Sequence, residues 1–342
     1  MKVIFDEAQK RHTPSFYLVR GKSRPAAEQP ERADMLLKGA VAAQLTTIAP
    51  EDFGSGARSA VHDLRYLAFL ENAYDEWHAL GDVSEEVVAS IRPVIRPATY
   101  PNHIIGRVGW HMMDTSCPLG ADTWQSVAMS ANSSVTGAAL LMDGDQQAYA
   151  LCRPPGHHAY SGYCGGFCFL NNVAMAAQHL RQAHSRVAIL DIDVHHGNGT
   201  QGIFYNRADI LTISLHAEPK DYYPFFYGHA HERGEGAGEG YNFNYPMPVK
   251  SGDDVWQETL MKALGTIETY APSVLVVALG LDAYEKDPLN GGAVTKAGFG
   301  DMAKEIARLG LPTLIVQEGG YLQGDLADNL QSFLTGFLDN RT

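Results

Sequence analysis

Short runs of β-branched residues, each followed at once by glycine, aspartate or histidine, recur along this chain and restrict what it can fold into. Residues 3–5 open the series, and residues 148–152 precede RPPGHH. Residues 187–190 precede DIDVHHGNG, and residues 210–214 run into LHAEP. Residues 274–279 lead to GLDAYEKDP, and residues 313–316 lead to QEGGY. Short apolar runs without alternation suit strands covered on both faces. Helix-like stretches at 171–183, 255–269 and 299–309 lie between them. Strand and helix therefore alternate, and the expected class is α/β with crossover connections and a parallel sheet.

Such a sheet needs a large core, and the composition supplies it. The chain has 342 residues, 45% hydrophobic and 19% charged, far from a disordered composition. No repeat, low-complexity tract or linker divides it, so residues 1–342 are expected to form one domain. Two stretches break the rhythm. Residues 81–123 contain RPVIRPATYP and HIIGRVGWHMMD, too long for an ordinary connection, and read as an inserted lid or oligomer contact. Tyr100, Ile104, Ile105, Trp110, Met112 and Met113 make this insertion more apolar than a solvated loop should be. That favours a homodimer in which the loop shapes the neighbour's channel, over a lid on its own domain. Residues 222–240 hold YYPFFYG and then ERGEGAGEGY, aromatics beside a glycine-rich loop, as at a pocket wall.

Charge narrows the partners. There are 26 Lys and Arg against 39 Asp and Glu, a formal −13. Nucleic acid and anionic membranes need a basic surface and are not expected as partners, whereas a small cationic ligand fits. Cys117, Cys152, Cys164 and Cys168 are too few and scattered for a disulfide framework. Cys164 and Cys168 raise a zinc knuckle, but their setting in SGYCGGFCFLNN, beside Phe167 and Phe169, favours small buried thiols. The opening MKVIFDEAQKRH fits no signal peptide and no apolar run is long enough to span a membrane, so a soluble cytoplasmic protein is expected.

In open α/β sheets ligands sit beyond the carboxyl ends of the strands. The residues that follow each expected strand therefore assemble one rim. They are His157 and His158, then Asp191, Asp193, His195, His196 and Asn198, then Asp282, and last Glu318, Gly319, Gly320 and Tyr321. Alternate side chains of an extended chain share a face, so Asp191, Asp193 and His195 are expected to point together. A lone D-x-D more often caps the next helix. Beside three other polar strand ends, a cation between the carboxylates is the better reading. Asp193 and His195, with Asp282 as the natural third ligand, have the layout of a catalytic divalent site, and zinc is the first choice. The rigid R-P-P-G lead-in aims both histidines, and a histidine beside a metal-activated water is the expected general base. Asp191 could orient one ring and Asn198 the other. Tyr321 could donate to a carbonyl oxygen as that oxygen gains charge, although alone it would read as a packed boundary residue.

RPPGHHA, GGFCFLNN, DIDVHHGNGTQ, SLH, LGLDAYEKDP and EGGY, in this order, strongly resemble the histone deacetylase superfamily. A weaker match surrounds EQPERADML, and the HTPSFYLVRG opening and the insertion look like the bacterial acetylpolyamine amidohydrolase branch. The resemblance implies the arginase–deacetylase fold, a central mostly parallel sheet flanked by helices on both faces. It implies zinc, with ferrous iron as the alternative, on Asp193, His195 and Asp282. His158 would be general base and then acid, with His157 its partner paired to Asp191. Tyr321 would polarise the acetyl carbonyl and stabilise the oxyanion. Phe167 and Tyr223 would grip a methylene chain, with Gly166 and Leu289 as further substrate contacts. The resemblance also implies a structural potassium on Asp191, Asp193, His195, Ser214 and Leu215, and by looser analogy a second monovalent site near Phe204, Arg207 and Ile210. In polyamine-type relatives, partner-subunit carboxylates help to bind the distal ammonium. Asp114 is the candidate here, while Ile105 is apolar. Asn198 and Glu318 stand where many histone deacetylases have aspartate and glycine.

The function so implied is removal of acetyl groups from N-acetylated polyamines or short diamines of the acetylputrescine or acetylcadaverine type. Water is the nucleophile, and no covalent intermediate is required. An acetyl-lysine protein or peptide deacetylase is the alternative within that class. A two-manganese guanidino hydrolase would need more carboxylate ligands than these motifs supply. An inactive binder of acetylated ligands is the alternative from a different class.

Overall fold

Each of the apolar runs becomes a strand of one sheet. The computed structural model describes residues 1–93 and 98–340, so residues 94–97 of the insertion, within RPVIRPATYP, lie outside the described residues. The strands are β1 (Lys2–Ile4), β2 (Phe16–Val19), β3 (Lys22–Pro25), β4 (Thr46–Ile48), β5 (Gln147–Ala150), β6 (Val187–Asp191), β7 (Ile210–Ala217), β8 (Asn242–Met247), β9 (Val274–Leu279) and β10 (Thr313–Gln317). The helices are α1 (Glu31–Ala42), α2 (Gly54–Ser59), α3 (Leu64–His78), α4 (Ile104–His111), α5 (Thr123–Met142), α6 (Asn172–Leu180), α7 (Asn198–Phe204), α8 (Asp253–Tyr270), α9 (Lys296–Ala307) and α10 (Leu326–Asp339). β2 and β3 form a separate antiparallel hairpin. The rest make an eight-stranded sheet in the order β4-β1-β5-β10-β9-β6-β7-β8, parallel throughout.

That order decides where a site can form. The chain leaves β6 toward β7 and leaves β9 toward β10, on opposite sides, so the connections diverge between the neighbours β9 and β6. Divergence of this kind opens a crevice at the carboxyl ends. Asp191, at the end of β6, stands level with Ala278 of β9 and Ser214 of β7.

Successive strand residues face opposite sides of the sheet, and both sides are covered. Ala188, Leu190, Leu275 and Val277 join a core with Leu36 of α1, Trp256 of α8, Phe299 of α9 and Phe333 of α10. Val187, Ile189, Val274 and Val276 join another with Ala138 of α5, Val173 of α6 and Phe204 of α7. A third core joins α3, α4 and α5, through Tyr66, Phe69, Val108 and Val127, to parts of the insertion. Ile104 and Met112 are 5% and 2% exposed in that core, whereas Ile105 is 39% and Ile91 62% exposed. Much of the apolar character of the insertion is thus used on its own domain, as a lid would use it.

The cysteines are free and buried, in keeping with their reading as small buried thiols. No helix among the described residues is long and apolar enough to cross a membrane.

His62 ties the start of α3 to the loop that precedes α6. Its Nε2 accepts the Asn171 N–H at 2.9 Å and its Nδ1 lies 3.1 Å from the Tyr160 carbonyl, which keeps the proton on Nδ1. Burial pulls its pKa down to about 4 against the opposing pull of the Ser161 and Tyr160 carbonyls. The unfolded chain takes up that proton near pH 6.5, so the stability His62 contributes is present above that value and lost as pH falls toward about 4. Between about pH 7 and about pH 5 His62 should account for about 1–2 kcal/mol of lost stability. His62→Gln should flatten the dependence of Tm on pH over that interval; an unchanged slope would remove His62 from this role.

Candidate active site

The spacing of Asp191, Asp193 and His195 predicts one shared face, and the structure departs from it. β6 ends at Asp191, and the chain then turns: the Asp193 N–H donates to Asp191 Oδ1 at 3.1 Å and the His195 N–H to Asp193 Oδ1 at 2.9 Å. The turn directs Asp191 toward His157, and Asp193 and His195 toward Asp282. His195 Nδ1 lies 3.0 Å from Asp193 Oδ1 and 3.0 Å from Asp282 Oδ2. All three side chains are buried, with their ligand-type atoms within 4.8 Å of one another. Burial and the charge of Asp193 push the Asp282 carboxyl above its usual range. Burial alone would lower His195, but its bonds to Asp193 and Asp282 outweigh that and raise it to about 9. Two buried carboxylates on one imidazole nitrogen concentrate negative charge where water cannot screen it, and a cation relieves that. One nitrogen and two carboxylates suit zinc or a similar divalent ion.

Two histidines flank this centre in different electrostatic states. His157 Nδ1 is 2.9 Å from Asp191 Oδ2. Its burial disfavours charge, yet Asp191 and Asp193 outweigh that and raise it to about 10. His158 Nδ1 is 2.6 Å from Asn198 Oδ1. Burial, followed by the charges of His157 and His195, holds it well below the ordinary histidine range. Because Asn198 Oδ1 only accepts, Nδ1 of His158 carries the proton and Nε2 keeps its lone pair. The rings lie 4.1 Å apart. The result is one cationic and one neutral imidazole side by side, the neutral one fit to take a proton.

Tyr321 is held from both sides. Its N–H donates to Asp287 Oδ2 at 2.9 Å, and burial, with Asp282, keeps its phenol protonated far above the usual value. The Arg32 guanidinium lies over the ring at 4.8 Å and donates to the carbonyls of Gly320 (2.6 Å) and Glu318 (2.7 Å). Arg32 in turn pairs with Glu28 at 2.7 Å, and Arg153, which leads into His157, meets the same Glu28 oxygen at 2.9 Å. Burial disfavours charge on Glu28, but Arg153 and Arg32 hold it below the usual carboxylate range. The Glu318 carboxylate accepts from the N–H groups of Gly156 (2.6 Å) and His157 (3.0 Å), so the histidine loop and the tyrosine loop are joined directly.

Aromatic rings wall the approach. Phe167 meets Tyr321 at 5.6 Å and Tyr17, from the β2–β3 hairpin, at 5.6 Å. Tyr223 meets the His158 ring edge-on at 5.0 Å, and Tyr222 stacks on His195 at 5.0 Å. Leu289 accepts the Tyr222 hydroxyl through its carbonyl at 2.8 Å and is half-buried. Gly166 sits so close to His158 that a Cβ would lie 2.3 Å from its ring. Asp114, read as a distal ammonium ligand, is engaged within its own chain, by Tyr223 and Gly166 at one oxygen and by the Ser116 N–H at the other. Ser214 and Leu215 lie on β7 beside Asp191, with the Ser214 hydroxyl 2.9 Å from His216 Nδ1. At the looser monovalent position, the Phe204 carbonyl already accepts the Arg207 N–H, in the turn before Ile210. His157, Cys168 and Glu318 form a second buried group of metal-type side chains. Its members are engaged elsewhere: His157 by Asp191, Glu318 by backbone N–H groups and Cys168 by the Gly166 carbonyl.

Sequence reasoning passed over Arg32, Glu28, Asp287 and Tyr17 as site residues, and reached Tyr222 only as the start of the aromatic stretch at 222–240. Glu28 and Arg32 did leave a signal, opposite charges four apart where Ala33 and Leu36 mark a buried face. Tyr17 left none, since a tyrosine near a turn is ordinary.

Paired imidazoles, a buried phenol and a cation-seeking acidic centre at the carboxyl ends of a parallel sheet define a class of hydrolytic site. The histone deacetylase domain family matches residues 26–337, and the chain belongs to that family, a hydrolase of deacetylase type. It is 45% identical over 338 residues, 98% of each chain, to an acetylpolyamine amidohydrolase of Burkholderia pseudomallei. It is 43% identical over 341 residues, 98% of this chain and 99% of the other, to acetylpolyamine amidohydrolase 1 of Pseudomonas aeruginosa. The crystal structure of an acetylpolyamine aminohydrolase from Burkholderia pseudomallei superposes with a TM-score of 0.96 at 44% identity, covering 100% of both chains.

Removing one member of a buried ion pair strands the other charge. Glu28→Ala should destabilise the fold by about 3–5 kcal/mol in urea denaturation, since it leaves Arg32 and Arg153 without their shared carboxylate. A loss below about 1 kcal/mol would mean that the carbonyl bonds alone satisfy both guanidinium groups.

Proposed function

We propose that this protein is a zinc-dependent amidohydrolase that removes acetyl groups from N-acetylated polyamines or short diamines. One observation carries the reading: a neutral imidazole, His158, and a protonated phenol, Tyr321, flank a buried Asp–His–Asp centre, with the rings of Tyr223 and Phe167 packed against them. Similarity over nearly the whole chain to proteins called acetylpolyamine amidohydrolases supports the substrate class. The formal −13 charge supports a cationic substrate, which an acidic mouth concentrates.

Asp193, His195 and Asp282 would hold the zinc, which when bound supplies a Lewis acid for the carbonyl and acidifies water. His158 takes the proton of the attacking water on Nε2, while Asn198 keeps the ring in the required tautomer. It then returns that proton to the leaving amine. Tyr321 donates to the carbonyl oxygen as it becomes an oxyanion, and Arg32 keeps the ring in place. His157, held cationic by Asp191, adds positive potential where negative charge develops. Phe167 and Tyr223 sequester the methylene chain from water. The same reading includes a structural potassium beside Asp191 and Ser214, and a homodimer formed through exposed parts of the insertion, including Ile91 and Ile105.

The test compares kcat/KM of the zinc-reconstituted protein on acetylputrescine or acetylcadaverine with that on an acetyl-lysine peptide. The diamine should win by about tenfold or more, a difference of about 1.4 kcal/mol in the barrier. A peptide preference would keep the chemistry and change the substrate class. Zinc binding without turnover of either would favour a binding protein instead. Chelation should abolish turnover and zinc should restore it. Tyr321→Phe should lower kcat on the order of a hundredfold with a smaller effect on KM, as expected for a donor that acts on the transition state.

A further inference from the structure

We propose that Asp114 is a positioning residue that fixes the separation of the two aromatic walls of the channel, and through them the preference for slender acylated chains. The proposal rests on the acetyl-amine reading above. Asp114 follows α4 in the insertion, far in sequence from both walls. A single oxygen, Oδ2, accepts from the Tyr223 hydroxyl at 2.7 Å and from the Gly166 N–H at 3.0 Å. Oδ1 accepts from the Ser116 N–H at 2.8 Å. Three of about four lone-pair directions of the carboxylate are therefore used inside the chain.

Both partners of Oδ2 need an external hold. Gly166 and Phe167 are the central pair of a tight hairpin turn closed by Gly165 and Cys168. Their φ values are +56° and +70°. Glycine accepts this region freely, but a phenylalanine there is strained and stays only where its surroundings require it. The bond from Asp114 to the Gly166 N–H anchors the turn that carries Phe167. Tyr223 leads into Phe225, Phe226 and Tyr227, all exposed, so its ring is the last fixed point before a solvated stretch. Its hydroxyl ends on Asp114.

Asp114 is itself well placed to act as an anchor. The Met113 N–H donates to the Cys164 carbonyl at 2.8 Å, and the Cys164 N–H donates to the His111 carbonyl at 2.8 Å. This short ladder registers the insertion against the 162–166 segment before the chain reaches Asp114. The walls it then joins both touch the proposed base: the Tyr223 ring lies 5.0 Å from His158, and a Cβ on Gly166 would meet that ring. An insertion outside the catalytic motifs thus sets the width of the channel directly over the reacting centre.

The experiment is a double-mutant cycle on the zinc-loaded protein with Asp114→Ala, Asp114→Asn and Tyr223→Phe. It is read as KM and kcat on acetylputrescine, with affinity for a linear alkyl hydroxamate as a readout independent of turnover. Asp114→Ala should raise KM and weaken hydroxamate binding on the order of tenfold, the worth of a charge-assisted hydrogen bond, with kcat changed by less than about threefold. Tyr223→Phe should cost several-fold in the wild-type background and almost nothing beside Asp114→Ala. Asp114→Asn keeps an oxygen for both donors and should recover most of the loss; it also serves if the alanine variant does not fold. Additive effects of Asp114→Ala and Tyr223→Phe would overturn the proposal. So would an asparagine variant as impaired as the alanine one, which would make the carboxylate an ammonium ligand. Wild-type protein that binds hydroxamate but turns over no acetylated amine would refute the proposed substrate, while the binding cycle would still decide the role of Asp114.

Discussion

The burial of acidic side chains at the carboxyl rim of a parallel sheet is the constraint on which the rest of this structure depends. Asp191, Asp193, Asp282, Asp287, Glu318 and Glu28 are all buried there or just behind it. A buried charge is expensive unless it is paired and hydrogen-bonded. Glu28 has two arginines, Asp191 has His157, and Glu318 has two backbone N–H groups. Asp193 accepts the N–H groups of His195 and Gly319, Asp282 accepts that of Val194, and the two carboxylates share one imidazole nitrogen. Two carboxylates on a single imidazole, against two arginines on Glu28 alone, leave this centre short of side-chain cations, and that deficit separates a metal-type centre from the ion pairs around it.

The same deficit explains the different states of the two histidines. His157 lies within reach of the carboxylates and becomes cationic, and burial, followed by that charge, keeps His158 neutral. Neither state belongs to histidine as such. Both rings are buried, which disfavours charge, and they differ in the neighbour each Nδ1 meets: an anion that overcomes burial at His157, or an amide oxygen that does not at His158. The phenol of Tyr321 is treated in a parallel way, kept protonated by burial and held in place by Arg32. Rigidity is supplied from outside the motifs, by α1, by the hairpin at residues 16–25 and by the insertion.

Much of this was legible in the sequence. Residues 187–190, 274–279 and 313–316 could be read as buried strands because parallel strands covered on both faces leave no polar positions. The polar groups at their ends could be read as a site because a parallel sheet presents its carboxyl ends together. β8 was missed because NFNYPM, on the sheet edge, carries no apolar run and tolerates a proline. α5 was missed because its buried face is rich in serine, alanine and glycine; Gly137 lies so near Leu314 that a Cβ would be 2.4 Å away. Small residues allow close packing but leave no amphipathic stripe to detect. The roles of Arg32 and Asp114 were not legible either, since each acts on a loop remote in sequence.

The sequence by itself determined the ends of the strands that carry the site and the chemical groups on them, but not the order of the strands in the sheet, because hydrophobic run length and residue type are local properties. It could not determine that the chain turns after Asp191, dividing one D-x-D-x-H run between a histidine pair and a metal-type centre. It also could not determine that Asp114 binds the channel walls. Those outcomes depend on which groups approach through space and how far burial removes water from them, and only the packed tertiary structure sets those distances.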